Sequence, residues 1–182
     1  MIYSDYQQLF DQILSSPPVD DPYTDPTYWQ YTKLNQVRMK RWDKQLILPK
    51  ELAEAIKSLT SPQHWMIITE PWCGDAAHII PFLIRLAALN ELITYAIQLR
   101  DRPPFLINSY LTKGSKSIPK LVVRDQNGSD VFCWGPRPKA AQLLVDHLKA
   151  SGLGQDDLST ALQQWYNQDK GVSMCQELLT YY

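Results

Sequence analysis

The stretch Thr69-Glu70-Pro71-Trp72-Cys73-Gly74-Asp75-Ala76 constrains this chain more than any other. An apolar run, Trp65-Met66-Ile67-Ile68-Thr69, has buried-strand character. A turn with one cysteine follows it, and a helical pattern begins at Gly74. A strand that ends in such a turn places Cys73 at a helix N-terminus, where backbone N–H groups and the helix dipole favour thiolate over thiol. Asp75 opposes this, because a nearby carboxylate disfavours a second negative charge. The expectation is a depressed thiol pKa, less depressed than without that acid. A buried, inert cysteine is the other reading of the same residues, and the order of elements favours the activated thiol. Ala76 occupies the position of the second cysteine in a Cys-x-x-Cys pair.

The periodicity on either side supplies the organisation. Helices are expected over 1–14, about Thr27 to Lys44, and about Lys50 to Leu59 with Pro49 at its start. The Pro- and Asp-rich segment Pro17 to Pro26 should be a non-helical connector. From His64 the pattern alternates: a strand, a helix from Gly74 to Asn90, a strand from Ile93 to Leu99, and a short helix from Pro103 to Leu111. Strands Lys120–Val123 and Asp130–Cys133 follow, joined by the turn Asp125-Gln126-Asn127-Gly128. A closing helix is expected over Pro136–Ala150, then helices at about 155–169 and 173–181. Parallel βαβ units joined to an antiparallel hairpin give an α/β fold with a mixed sheet of about four strands between helices. The expected organisation is an N-terminal helical extension (1–60), a core (61–150) and a C-terminal helical extension (151–182) in one compact domain.

Bulk properties remove several functions. The 182 residues suffice for one sizeable core. A net charge of -1 gives no global case for nucleic acid. Between Thr27 and Lys50 six basic residues face one acid, Asp43. Lys33, Lys40 and Lys44 share a helix face, which reads as a solvated face before it reads as a docking site for an acidic partner. No apolar stretch is long enough to span a membrane. Three cysteines make no disulfide framework, and Met1-Ile2-Tyr3-Ser4-Asp5 lacks the basic start and apolar run of a leader. The expected location is a reducing cytoplasm. Three cysteines and His64, His78 and His147 match no zinc spacing, so no metal site is expected.

Trp72-Cys73-Gly74, Pro81 eight residues beyond the cysteine, Ile118-Pro119 before a strand, and a hairpin followed by a helix together resemble the thioredoxin superfamily. The resemblance covers about His64 to Lys149 and implies a thioredoxin-like three-layer sandwich. Glu70-Pro71-Trp72-Cys73-Gly74-Asp75, Ile118-Pro119-Lys120 and Trp134-Gly135-Pro136-Arg137-Pro138 look like a bacterial subgroup of thioredoxin family proteins that also carries an N-terminal helical extension. Carried over, Cys73 is the nucleophile, Trp72 flanks it, and Pro119 is a cis-proline that sets backbone beside the thiol. Gly74, Asp75 and Ile118 complete the implied binding groove. From the residues alone, a proline opening a strand needs no cis bond, and trans is the default.

The departures narrow the activity. Ala76 replaces the resolving cysteine, Asp75 replaces the proline inside the thioredoxin motif, and Ile67 stands where thioredoxins bury a proton-shuttling acid. The internal dithiol cycle is therefore lost. Cys133, next to Trp134, reads as a buried small hydrophobe, and Cys175 belongs to the terminal helix. His78, five residues after Cys73, is off the direction of a Cys–His pair. Arg137 reads as part of a strand-to-helix connector, with anion binding as the alternative. Glu70 stands where a peroxidatic motif has threonine.

Two functions remain, and the sequence favours the first over the second by a small margin. One is monothiol thiol–disulfide exchange through Cys73, with an external thiol resolving the mixed disulfide. The other is a non-catalytic module that recognises a peptide or small thiol in the Cys73/Pro119 groove. Protein or small-molecule thiols and disulfides are the expected partners. Glutathione is admitted as a co-substrate, and no resident cofactor is expected.

Overall fold

The computed structural model describes residues 1–15, 17 and 20–182; Ser16 and, within the expected connector, Pro18 and Val19 lie outside the described residues. Four strands form one mixed sheet in the order β2-β1-β3-β4: β1 Gln63–Thr69, β2 Ile93–Leu99, β3 Lys120–Arg124 and β4 Asp130–Trp134. β1 runs parallel to β2 and antiparallel to β3, and β3 is antiparallel to β4. Ile67 pairs with Ile97 on one side and Leu121 on the other, and all three are buried. A central strand covered on both faces needs an unbroken apolar end, which Ile67-Ile68 supplies. Asp125 Oδ1 accepts the backbone N–H groups of Asn127 (2.8 Å) and Ser129 (2.9 Å), which closes the β3–β4 hairpin as the turn residues predict.

Helix α4 (Gly74–Ala87) joins β1 to β2, and every residue from Asp75 to Leu83 is buried. A helix apolar nearly all round needs cover on every side. The sheet, α2 (Pro26–Gln45) and α6 (Gln155–Asp169) provide it. On α2, Thr32, Asn35, Met39 and Trp42 are buried at helical spacing, and Trp42 meets Phe82 of α4 at 5.3 Å between ring centroids. On α6, Leu158, Leu162 and Tyr166 recur every four residues and make the buried face. Helices α1 (Tyr3–Ser15), α3 (Lys50–Lys57), α5 (Lys139–Ala150) and α7 (Val172–Leu179) complete the outer layers. Met1 exchanges backbone hydrogen bonds with Ile97 (2.9 and 2.8 Å) and so covers the β2 edge. Lys33, Lys40 and Lys44 lie exposed on α2. No helix among the described residues is long and apolar enough to cross a membrane.

Two expected helices differ. The closing helix begins at Lys139, not Pro136. Pro138 disfavours helical backbone at Arg137 and is itself extended (φ −56°, ψ 146°), so the helix starts after it. Between Pro103 and Leu111 only a 3-10 turn forms, Leu106–Ser109. Pro103 and Pro104 disfavour helix before it, and Phe105 adopts a left-handed φ of 54°.

Candidate functional site

Cys73 is the N-cap residue of α4, with extended backbone (φ −76°, ψ 114°). Its N–H donates to the Glu70 carbonyl at 3.1 Å, which closes the turn after β1, and its own carbonyl accepts from Ala77 at 3.3 Å. The thiol donates to the Ile118 carbonyl at 3.4 Å. The next peptide bond, Ile118–Pro119, is cis. Across from it, Gly135 has φ 115°, and a Cβ there would lie 2.3 Å from the Pro119 carbonyl oxygen, so only glycine fits. The structure thus brings Trp72, Cys73, Gly74, Asp75, Ile118 and Pro119 to one place.

The expected thiolate is not what this environment favours. Cys73 is only 7% exposed, and burial pushes its thiol pKa up to about 12, with the Asp75 carboxylate adding to the rise. The N–H groups of Ala76 and Asp75 and the Arg137 guanidinium pull the other way and are outweighed. The helix-terminus argument names the right donors but leaves out the desolvation that an overlying helix imposes.

That cover comes from α6. A Cβ on Gly74 would meet Gln163 Nε2 at 3.0 Å, so glycine lets α6 lie against the start of α4. Tyr166 donates its hydroxyl to Asp75 Oδ1 at 2.6 Å. Arg137 donates to Asp75 Oδ2 from Nη2 (2.6 Å) and Nε (3.2 Å). Arg137 is therefore more than a connector residue: its half-buried guanidinium neutralises the carboxylate beside the thiol. Sequence spacing could not show this, because 62 residues separate the two.

His78 is closed off from catalysis. The Trp42 indole N–H can only donate, so His78 Nδ1 accepts it (2.9 Å) and Nε2 carries the proton towards Gln163 Oε1 (2.7 Å). The ring stacks on Tyr166 at 4.6 Å, and burial pushes its pKa down to about 4. It is a neutral brace between α2, α4 and α6.

Glu70 was noted in the sequence only for what it replaces. Its side chain is buried, Oε1 accepts the Asp101 N–H at 2.9 Å, and burial pushes its pKa up to about 7. A glutamate directly after a buried strand was the available signal. Cys133, expected to be buried, is exposed on β4, the last strand of the sheet. The alternation of β4 turns Trp134 inward and Cys133 outward. Cys175 is buried in α7, and all three cysteines are free. No cluster of three or more metal-ligating side chains occurs among the described residues.

Over Cys73 opens a cavity of about 670 Å³. Trp72 and Ile118 line it from the core, Tyr28 and Arg38 from α2, Lys116 from the loop before β3, and Leu158 and Leu162 from α6. Arg100 lies over the Trp72 ring at 4.6 Å, and Tyr28 meets that ring edge-on at 5.3 Å.

Sheet order, connectivity and the placing of Cys73 at the head of α4 define a thioredoxin-fold protein with one motif cysteine. The chain belongs to the family described as Thioredoxin (Thioredoxin_9), which residues 22–149 match. No curated protein matches. Solved structures are similar to it at low identity. An HIV epitope scaffold of the 4E10 series is 19% identical with a TM-score of 0.58, over 84% of this chain and 88% of that one. PA1234 of Pseudomonas aeruginosa, a protein of unknown function, is 16% identical with a TM-score of 0.47, over 94% and 99%. The NTD_N/C domain of alkylhydroperoxide reductase AhpF from Enterococcus faecalis is 18% identical with a TM-score of 0.42, over 60% and 54%.

Proposed function

We propose that this thioredoxin-fold protein is a binding module that takes a peptide or small thiol into the groove between Cys73 and Pro119 without turning it over. The observation that supports this reading is the state of the thiol. It is buried, donates to the Ile118 carbonyl, and has a pKa pushed up to about 12. At pH 7 such a thiol is held in its neutral form, and the thiolate is the attacking species. Cys73 then serves as a neutral hydrogen-bonding wall of the groove.

One observation favours monothiol exchange as the second reading. The groups that would stabilise a thiolate, the N–H groups of Asp75 and Ala76 and the Arg137 guanidinium, are already in place. Burial opposes them, and α6 side chains supply part of it. With α6 displaced, Cys73 would attack a disulfide sulfur, one thiolate would leave, and an external thiol would release the bound half.

Alkylation separates the two. Under the binding reading, iodoacetamide modifies Cys73 in the folded chain more slowly than it modifies a model thiol from pH 6 to 9. Hydroxyethyl disulfide then forms no adduct within minutes by mass spectrometry. Alkylation faster than the model thiol, or rapid mixed-disulfide formation at Cys73, overturns the binding reading in favour of exchange.

A further inference from the structure

The cavity over Cys73 has a charge the rest of the chain lacks. The sequence holds 18 basic and 19 acidic residues, yet five basic side chains and one acidic one line this cavity. The one acid, Asp75, is already held by Arg137, and Arg100 has Asp101 at 2.6 Å. Arg38, Lys116 and Lys149 have no carboxylate within 4.0 Å among the described residues. They come from three separate elements: α2, the loop before β3, and the last turn of α5. Cations spread around a mouth in this way suit more than one anionic group.

Arg38 is held in place. It donates to Asn35 Oδ1 at 2.7 Å, and the fully buried Asn35 donates in turn to the Pro71 carbonyl at 2.9 Å. Burial and the neighbouring Arg41 both disfavour its charge. A half-buried cation without a counter-charge costs free energy that a bound anion would offset.

The cavity also offers ring surface. Tyr28 and Tyr31 line it beside Trp72, whose ring already carries the Arg100 guanidinium at 4.6 Å. The volume of about 670 Å³ falls in the roughly 300–1,000 Å³ range of small-molecule sites.

We propose that this cavity binds a small molecule carrying two or more negative charges together with a flat ring, the chemistry of a nucleoside diphosphate. The proposal rests on the reading of this region as a ligand site and goes beyond it in the occupant, an anionic ring molecule in the wider cavity as well as a peptide or small thiol at Cys73 and Pro119. Calorimetric titrations with adenosine diphosphate, adenosine and pyrophosphate test it on the full chain. The diphosphate is expected to bind at least about tenfold more tightly than adenosine or pyrophosphate, and to weaken as salt rises. Lys116 and Lys149 are exposed, so Lys116→Ala/Lys149→Ala leaves the core untouched. The double variant is expected to bind the diphosphate about tenfold more weakly, the loss of two partly screened charge contacts.

Equal binding of diphosphate and adenosine, or an unchanged affinity in the double variant, overturns the proposal. A chain that binds none of the three probes, yet takes up an uncharged peptide in a manner lost in Pro119→Ala, overturns it and leaves the groove a binding site. A chain that binds neither the probes nor such a peptide overturns both.

Discussion

Glu70 allows a quantitative test of the site's construction. Its carboxyl is 5% exposed at the end of β1, and its pKa is pushed from 4.5 to about 7, chiefly by burial. The folded chain therefore binds this proton more tightly than the unfolded chain. Below about pH 4.5 both states are protonated and Glu70 carries no penalty. As pH rises from 4.5 through about 7 the unfolded chain ionises first, and stability falls. Each factor of ten in proton affinity is worth about 1.36 kcal/mol, so the loss above pH 7 is about 3 kcal/mol. Glu70→Gln keeps an Oε1 acceptor for the Asp101 N–H and cannot ionise. Urea unfolding of both proteins across this range isolates the effect, since every other titrating group is common to both. The variant should gain on the wild type by about 3 kcal/mol between pH 4.5 and pH 8. A stability difference that stays flat across the range refutes the reasoning.

Other perturbations probe the same region. Asp75→Asn removes the carboxylate that helps raise the Cys73 pKa and frees Arg137 to lower it. The pH profile of Cys73 alkylation should move to lower pH, and an unmoved or upward profile would count against that electrostatic account. Tyr166→Phe deletes the hydroxyl that donates to the buried Asp75 Oδ1 and should cost about 1–3 kcal/mol in chemical denaturation. Gly135→Ala drives a Cβ into the Pro119 carbonyl oxygen and should destabilise by more than about 2 kcal/mol. Gly74→Ala meets only the end of the Gln163 side chain, so its melting temperature should change far less than that of Gly135→Ala.

The sheet was legible because its signals are local. Ile67-Ile68 in a continuous apolar run, Asp125 to Gly128 between two short strands, and Ile93 to Leu99 bounded by turns each imply their element without knowledge of the rest. β2 spans Ile93–Leu99, as expected. Helix ends near prolines were harder. Pro136 looked like a first-turn residue, and only Pro138, acting on Arg137, moves the start to Lys139. The side chains that define the site were least legible. Asp75, Arg137 and Tyr166 are far apart in sequence and meet only because α6 and the β4–α5 connector both come against the start of α4. Cys133 is exposed, against the expectation from its apolar neighbours, because β4 is the last strand of the sheet and its outward positions stay open.

The setting of α6 against α4 also bears on why Cys73, at a helix N-terminus, has a raised and not a lowered pKa. A helix N-terminus lowers a thiol pKa by offering N–H groups to a charge that also needs room and solvent. Here the N–H groups are present, but α6 lines the cavity over the thiol with the apolar Leu158 and Leu162 and sets Tyr166 on Asp75. Asp75 raises the thiol pKa, while its pairing with Arg137 and Tyr166 anchors α6 and the β4–α5 connector to α4. One carboxylate thus links cover and acidity. Loosening α6 without touching Asp75 should lower the Cys73 pKa by restoring solvent, whereas Asp75→Asn should lower it by removing charge. Leu162→Ala, which opens the cover while leaving the Asp75 carboxylate in place, separates the two causes. If burial dominates, it accelerates Cys73 alkylation more than Asp75→Asn does at the same pH. If Asp75→Asn has the larger effect, charge outweighs burial at this thiol, and the order of causes argued here is reversed.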